Sequence, residues 1–226
     1  MSLDLSCIIL FIKAPIAGQV KTRLAKSIGH DHVINIYKCF IKDIVGTAIQ
    51  TSFQVKIFYY PPGSEHLIKN WVGNKFEYHI QIGSDLGEKM ANAFRTVFNK
   101  KINQAVLIGS DIPDLPKQFI EEAFLKLKSQ DAVIGPSKDG GFYLIGFRSD
   151  AFIKNAFKDI IWSRDTVYAN TLQKLSELGL HVHILPTWRD IDTYADLKEL
   201  RTSLLNLESS ARETLKYLQK IVSQSF

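Results

Sequence analysis

Four short stretches of this 226-residue chain carry side chains suited to phosphate and cation chemistry. The first is Lys13-Ala14-Pro15-Ile16-Ala17-Gly18-Gln19-Val20-Lys21-Thr22-Arg23-Leu24, which combines a turn-forming proline, a glycine and three cations. Backbone amides freed by such a loop, with Lys21 and Arg23 beside them, could hold a di- or triphosphate. A solvated loop with scattered lysines is the plainer alternative. The stretch is not a P-loop, because Pro15 and Val20 stand where that motif needs its two glycines, and the chain has no G-x-G-x-x-G dinucleotide fingerprint.

The second stretch is Leu107-Ile108-Gly109-Ser110-Asp111-Ile112-Pro113-Asp114-Leu115-Pro116. A carboxylate directly after a buried strand sits where it can bind a divalent cation bridging substrate phosphates, which makes Asp111 the first metal candidate. Asp114 is more simply a turn residue or helix cap ahead of Pro116. In the third stretch, Gly135-Pro136-Ser137-Lys138-Asp139-Gly140-Gly141, paired glycines allow close backbone approach to a ligand, and Asp139 could bind acceptor, sugar or metal. A hairpin turn explains the same residues. In the fourth, Asp190-Ile191-Asp192, extended backbone would point both carboxylates to one side, so that one of them completes a metal site. Asp192 or Thr193 could equally cap the helix that follows, with Asp196 in its first turn.

Other polar groups read as structural. His181 and His183 share a strand face with no third ligand near in sequence, so packing or a surface role is preferred over zinc. Ser163 reads as a helix cap, and no G-x-S-x-G elbow marks a hydrolase nucleophile. Asp85 or Glu88 caps a helix or touches ligand. Trp71, Trp162 and Trp188 read as core or rim aromatics, with Trp188 near enough to Asp190 to border a sugar.

Hydrophobic periodicity supplies the elements that must position these residues. Apolar runs at Leu5–Ile12, Gln54–Tyr60, Ala105–Gly109, Ala132–Gly135, Phe142–Phe147 and His181–Leu185 read as strands, and Phe76, Tyr78, Ile80 and Ile82 alternate as in a half-buried strand. Between them, helical spacing runs over Asp31–Ile49 with Asp31 as cap, Glu65–Val72, Leu86–Val97, Phe119–Leu127 and from Ser163 to Leu178, closed by Gly179. Two more helices follow the Asp-Ile-Asp turn. Strands alternating with helices predict an α/β fold, a three-layer α/β/α sandwich with a mostly parallel mixed sheet, departing from parallel around the Asp-Gly-Gly turn. Ligands of such sheets bind beyond the carboxyl ends of the strands, where strand order reverses. One domain over 1–226 is expected, with 206–226 a C-terminal helix packed on it.

Composition narrows the function classes. Hydrophobic residues make up 46% and charged residues 23%, which is globular and excludes disorder or a coiled-coil rod. No apolar stretch is long enough to span a bilayer, so a cytoplasmic protein is expected. Cys7 and Cys39 alone can build neither a disulfide framework nor a zinc cage. The net charge of +5 is spread along the chain, which suits a phosphorylated small molecule better than nucleic acid.

Five motifs occur in order: K-x-P-x-x-G-x-V-K-T-R-L from Lys13, D-L-G-E-K-M from Asp85, G-S-D-I-P-D-L from Gly109, G-P-x-x-D-G-G-F-Y-L-I-G from Gly135 and D-I-D-T-x-x-D-L from Asp190. From Lys13 to Leu197 the series spans about four-fifths of the chain. The series resembles a bacterial family of glycosyltransferases with the GT-A, nucleotide-diphospho-sugar transferase fold, and is more distantly similar to phospholactate and molybdenum cofactor guanylyltransferases. The resemblance implies a nucleotide pocket formed by Lys13, Pro15, Gly18, Lys21, Arg23, Ser110, Gly140 and Gly141, with Lys21 and Arg23 on phosphates. It implies a Mg²⁺ or Mn²⁺ ion held chiefly by Asp111, with Asp190 or Asp192 as second ligand. Where many such enzymes carry D-x-D, this chain has Asp111-Ile112-Pro113.

Two reactions suit that pocket. In sugar transfer, an acceptor hydroxyl attacks the anomeric carbon of a nucleotide-sugar, with Asp139 as acceptor base. In nucleotidyl transfer, an acceptor phosphate attacks a nucleoside triphosphate, pyrophosphate leaves, and Asp139 only positions substrate. A non-catalytic nucleotide-binding protein is the third reading. A small-molecule acceptor is expected in either enzyme, and the sequence leaves a homo-oligomer open.

Overall fold

The computed structural model describes residues 5–162, 164–206 and 211–223. Seven strands form one sheet: β1 (Ser6–Lys13), β2 (Gln54–Tyr60), β3 (Glu77–Ile80), β4 (Gln104–Gly109), β5 (Ala132–Pro136), β6 (Phe142–Arg148) and β7 (Val182–Ile184). Eight α-helices connect or cover them: α1 (Thr22–Ile28), α2 (His30–Ile49), α3 (Glu65–Val72), α4 (Leu86–Phe98), α5 (Lys117–Lys126), α6 (Val167–Glu177), α7 (Tyr194–Asn206) and α8 (Arg212–Ser223). The α/β character expected from alternating periodicities is present.

The sheet order is β3-β2-β1-β4-β6-β5-β7. Strands β1 to β4 run parallel to one another, β6 is antiparallel to both β4 and β5, and β7 is parallel to β5. The departure from parallel therefore falls where the Pro-Ser-Lys-Asp-Gly-Gly turn predicts it. Two short strands joined by a tight turn must pair antiparallel.

Each face of the sheet carries its own core. On one side Ile8, Leu10 and Ile12 of β1 pack with α2, α3, α5, α7 and α8. On the other, Cys7, Ile9 and Phe11 pack with α4, α6 and a 3₁₀ turn at Lys154–Phe157. The two-residue side-chain period of a strand makes that division automatic, and it makes β1 apolar at every buried position. Phe94 of α4 and Phe147 of β6 meet edge to face, 5.1 Å apart, inside the second core.

Several boundaries differ from the periodicity reading. Helix α2 begins at His30, with Gly29 at its N-cap; Asp31 does not cap it but lies in the first turn, where its charge complements the helix dipole. Strand β3 is a short strand at the edge of the sheet, where Ile80 and Ile82 are exposed rather than half-buried. Ser163, read as a cap, lies outside the described residues. Among the described residues, no helix is long and apolar enough to cross a membrane.

The last helix is pinned by one buried carboxylate. Asp43 of α2 accepts from the backbone amides of Glu213 (2.9 Å) and Thr214 (2.8 Å) and from the Thr214 hydroxyl (2.6 Å), so an α2 side chain satisfies the first free amides of α8. Burial pushes the Asp43 carboxyl up, and these three donors pull it back. Replacing Asp43 with Ala removes three hydrogen bonds to a charged acceptor and strands two amides. Urea unfolding should show a loss of roughly 3 kcal/mol; a loss under about 1 kcal/mol would mean that apolar packing alone holds α8.

Candidate functional site

The order of strands reverses between β1, whose next connection runs to β2 on one side, and β4 on the other. Their carboxyl ends diverge there and leave a crevice. A cleft of about 490 Å³ occupies it. Its walls include Lys13, Lys21, Arg23, Ser110, Asp111, Asp190 and Asp192, so cations from the first loop and carboxylates from the second and fourth stretches meet in one place. A larger hollow of about 1040 Å³, bordered by Trp188, Arg189 and Arg212, contains none of these groups and is not where the chemistry gathers.

Lys21 is the centre of the arrangement. The polypeptide leaves β1 through Ala14, whose amide donates to the Tyr60 carbonyl at 2.7 Å, then turns at Gly18 (φ +76°) and enters α1 at Thr22. Helix α1 was not anticipated: the Lys-Thr-Arg segment is a helix start, with Lys21 at the N-cap. Lys21 itself is left-handed, φ 47° and ψ 45°. Its side chain is 3% exposed, and its Nζ lies 2.8 Å from Asp111 Oδ1 and 2.7 Å from Asp192 Oδ1. Burial disfavours the ammonium, yet the two carboxylates more than compensate and hold its pKa above the ordinary lysine value. Arg23, on the exposed side of α1, stands 4.0 Å from Asp192 Oδ2.

The acidic side is fixed by backbone and side chains together. The Ile191 amide donates to the Asp111 carbonyl at 3.0 Å, which locks the Asp-Ile-Asp turn against the end of β4. Thr193 and Asp196 then form the helix start. Asp196 Oδ2 accepts from the amides of Asp192 (3.0 Å) and Thr193 (2.7 Å), and Thr193 Oγ1 accepts from the Asp196 amide. Capping thus falls to this pair, and both Asp190 and Asp192 are left to line the cleft. Arg189 braces the same turn from behind, through Asp114 Oδ2 (3.1 Å), Glu199 Oε1 (3.0 Å) and Ser203 Oγ (2.7 Å).

Asp190 and Asp192 occupy different electrostatic positions. Burial raises the Asp192 carboxyl, but Lys21, Arg23 and Lys13 outweigh it and leave the group below its ordinary value. For Asp190, burial, then the charges of Asp111 and Asp139, push the carboxyl up to about 7, with only the Ser137 hydroxyl (2.9 Å) and more distant Lys21 opposing. Mutually repelling carboxylates facing one cleft are what a bound cation relieves, so Asp111 with Asp190 or Asp192 is a chemically suitable donor set for a hard divalent ion. Magnesium keeps several waters and needs only one or two carboxylates. Among the described residues, no three acidic, histidine or cysteine side chains converge on one point.

The remaining expected contacts are distributed differently. Lys13 and Ser110 line the cleft, and Ser110 Oγ lies 2.8 Å from Tyr37 Oη, which also accepts from the Lys13 amide at 3.2 Å. Pro15, Gly18, Asp139, Gly140 and Gly141 do not line it. The Asp-Gly-Gly segment is a hairpin turn: the Gly140 amide donates to the Ser137 carbonyl (3.1 Å), and Asp139 Oδ1 accepts from the Gly141 amide (3.0 Å). Gly140, at φ +88°, lets the chain approach itself rather than a ligand. A Cβ there would stand 2.0 Å from the Asp165 carbonyl oxygen, and the Gly140 carbonyl accepts from the Tyr168 amide at 2.8 Å.

The same geometry decides the other polar readings. Asp114 is the turn residue expected and caps no helix; it is buried against Arg189 and accepts from Trp188 Nε1 at 3.2 Å, so Trp188 also turns away from the cleft. Asp85 does cap α4, accepting from the Glu88 amide at 2.8 Å. His181 and His183 pair with Asp131 (3.1 Å) and Glu122 (2.9 Å), as packing and surface groups. Tyr37, which lines the cleft, and Ser137 and Arg189, which support Asp190 and its turn from outside it, are contacts that sequence reasoning missed. Tyr37 has the same helical spacing as core residues, and only its hydroxyl hints at a second role.

The sequence between residues 45 and 164 matches the family described as "Uncharacterized protein conserved in bacteria (DUF2064)". A crystal structure from Desulfovibrio desulfuricans G20, described provisionally as a nucleotide-diphospho-sugar transferase, is similar at 36% identity over 98% of both chains, with a TM-score of 0.90. The chain belongs to the DUF2064 family. At lower identity the likeness is one of fold. CMP:2-keto-3-deoxy-manno-octonic acid synthetase, complexed with CTP, is 9% identical over 89% of this chain and 98% of that one, with a TM-score of 0.57. Rv0371c of Mycobacterium tuberculosis H37Rv, described in complex with manganese, is 15% identical over 89% of this chain and all of that one, with a TM-score of 0.54. No curated protein matches. The DUF2064 chain thus has the nucleotide-diphospho-sugar transferase-like fold implied by its motifs.

Replacing Gly140 with Ala separates structure from binding in the turn. The methyl group collides with backbone at a strained φ, so chemical denaturation should show a loss of roughly 2–4 kcal/mol. A fully stable Gly140→Ala protein with impaired nucleotide binding would instead return this glycine to the ligand.

Proposed function

We propose that this protein is a divalent-cation-dependent glycosyltransferase, moving a sugar from a nucleotide-diphosphate donor to a small-molecule acceptor. The observation that carries the reading is the meeting of Lys21 and Arg23 with Asp111, Asp190 and Asp192 in one cleft at the strand-order reversal. The resemblance to the Desulfovibrio protein over the whole chain supports the same class. The manganese described for the mycobacterial protein supports the choice of cofactor as Mg²⁺ or Mn²⁺.

In this reading Lys13, Lys21 and Arg23 bind the donor diphosphate, and Ser110 lies on the floor beside it. Asp111 and Asp190, with Asp192 in reach of the same cleft, hold the cation. When bound, the ion neutralises charge on the departing diphosphate. The acceptor hydroxyl oxygen forms a bond to the anomeric carbon and gives up its proton to water, while the bond from that carbon to the diphosphate oxygen breaks. The electron pair leaves with the nucleoside diphosphate, whose charge Lys21 and Arg23 offset. Asp139, whose Oδ1 is engaged with the Gly141 amide outside the cleft wall, is assigned no proton transfer.

The fold alone is shared with nucleotidyltransferases such as the CTP-bound synthetase, so the products distinguish the reactions. Incubation with UDP-, GDP-, CDP- and ADP-sugars and an acceptor panel, with Mn²⁺, should release nucleoside diphosphate and no pyrophosphate. Pyrophosphate from a nucleoside triphosphate would make it a nucleotidyltransferase. Binding without turnover would leave a nucleotide-binding protein. A saturating donor, at about 100 times its Kd, should stabilise the fold by about 2.7 kcal/mol in a thermal shift. Asp111→Asn should lower turnover by about 100-fold or more; near-normal turnover would remove Asp111 from the site.

A further inference from the structure

Lys21 sits where a cation would. Its Nζ bridges one oxygen each of Asp111 and Asp192 at 2.8 and 2.7 Å, from the end of β4 and from the turn before α7, while those carboxylates remain 45% and 36% exposed toward the cleft. The lysine side chain is itself 3% exposed, so its single charge is buried behind the acids and is not presented to solvent. A lysine ammonium is a compact charge on a four-carbon stem, able to reach a different partner by rotating that stem. Its backbone is left-handed, a conformation that costs a side chain-bearing residue on the order of 1 kcal/mol and is retained where other contacts enforce it.

We infer that Lys21 is an internal cation, which bridges Asp111 and Asp192 in the free protein and competes with a divalent ion for those carboxylates. The inference rests on the metal-dependent reading above and adds an order to it. A cation arriving alone must displace the ammonium from at least one carboxylate, and the freed lysine has no anion to meet. A cation arriving with a nucleotide frees the lysine onto a phosphate. Metal and nucleotide binding are therefore positively coupled through one side chain, and by linkage each raises the affinity of the other by the same factor. The geometry makes Lys21 a positioning group in the free state and a phosphate ligand in the loaded state.

Mn²⁺ binding, followed by the paramagnetic resonance of free Mn²⁺ in protein without nucleotide, tests this directly. Lys21→Met keeps the stem and removes the charge. It should bind Mn²⁺ about tenfold more tightly than the native protein, within the usual range of coupling factors, and should lose most of the gain that added UDP or GDP gives the native protein. Removing any nearby positive charge favours a cation, so Arg23→Met serves as the control: its guanidinium is 75% exposed and 4.0 Å from Asp192, and it should change Mn²⁺ affinity much less. Equal gains in the two variants, or no gain in Lys21→Met, would overturn the inference.

The native protein gives a second readout that does not depend on a variant folding. Reductive methylation, quantified by peptide mass spectrometry, should modify Lys21 slowly in the free protein and faster once Mn²⁺ is bound. Mn²⁺ binding that leaves Lys21 equally protected would overturn the inference while sparing the metal-dependent reading. Failure of Mn²⁺ to bind with or without nucleotide would remove both.

Discussion

The cleft depends on one bridge of opposite charges. Lys21, at the start of α1, holds Asp111 at the end of β4 and Asp192 before α7, so three segments remote in sequence are tied at one edge of the sheet. Breaking a fully buried ion pair by removing one partner costs about 3–5 kcal/mol. Here the ammonium is buried but the carboxylates face the cleft, so solvent screening makes the structural value smaller. What the bridge supplies is location. Without a positive charge among them, Asp111, Asp190 and Asp192 would repel one another across the site they line.

Topology explains why the bridge can form only here. β1 lies centrally, with β2 on one side and β4 on the other, so the loop after β1 and the loop after β4 must leave the sheet at adjacent points. Antiparallel β6 fills the place beside β4, and its turn brings Ser137 back to the same edge, where its hydroxyl meets Asp190. Parallel β7 then delivers the Asp-Ile-Asp turn from the far side, and the Ile191 amide fastens it to Asp111. Hydrophobic burial sets the sheet order, and the polar site inherits its geometry from that order.

Much of this is legible in the residues themselves. The strands of the central sheet are short, largely apolar runs, and their carboxyl ends carry the residues that line the cleft: Lys13 at the end of β1, Asp111 after β4 and Asp190 beyond β7. Helix α1 escaped notice because Lys-Thr-Arg-Leu-Ala-Lys-Ser has too few apolar residues to announce a period. It is held by Leu24 and Ala25 alone among its buried residues. The Asp-Gly-Gly segment allowed a ligand contact or a hairpin turn, and the hairpin is what forms. Glycine reports that something approaches the backbone, and in Gly140 that neighbour is the protein's own Asp165 carbonyl. Local sequence cannot distinguish a ligand from a distant segment of the same chain. Tyr37 and Arg189 were missed for a related reason, since their partners Ser110 and Asp114 both lie in the loop after β4, remote from them in sequence.

The two carboxylates of the Asp-Ile-Asp turn look equivalent in sequence, and their surroundings make them unequal. Asp192 is matched by Lys21 and approached by Arg23, and its carboxyl is held below the ordinary range. Asp190 is deeper, is repelled by Asp111 and Asp139, and has one hydroxyl donor. Unmet demand for positive charge therefore concentrates on Asp190, while Asp111 and Asp192 share the lysine. An incoming divalent ion meets the unmatched Asp190 first, and reaching Asp111 or Asp192 requires it to contest the lysine. The same turn thus offers one carboxylate that attracts a cation and one that stores the protein's own.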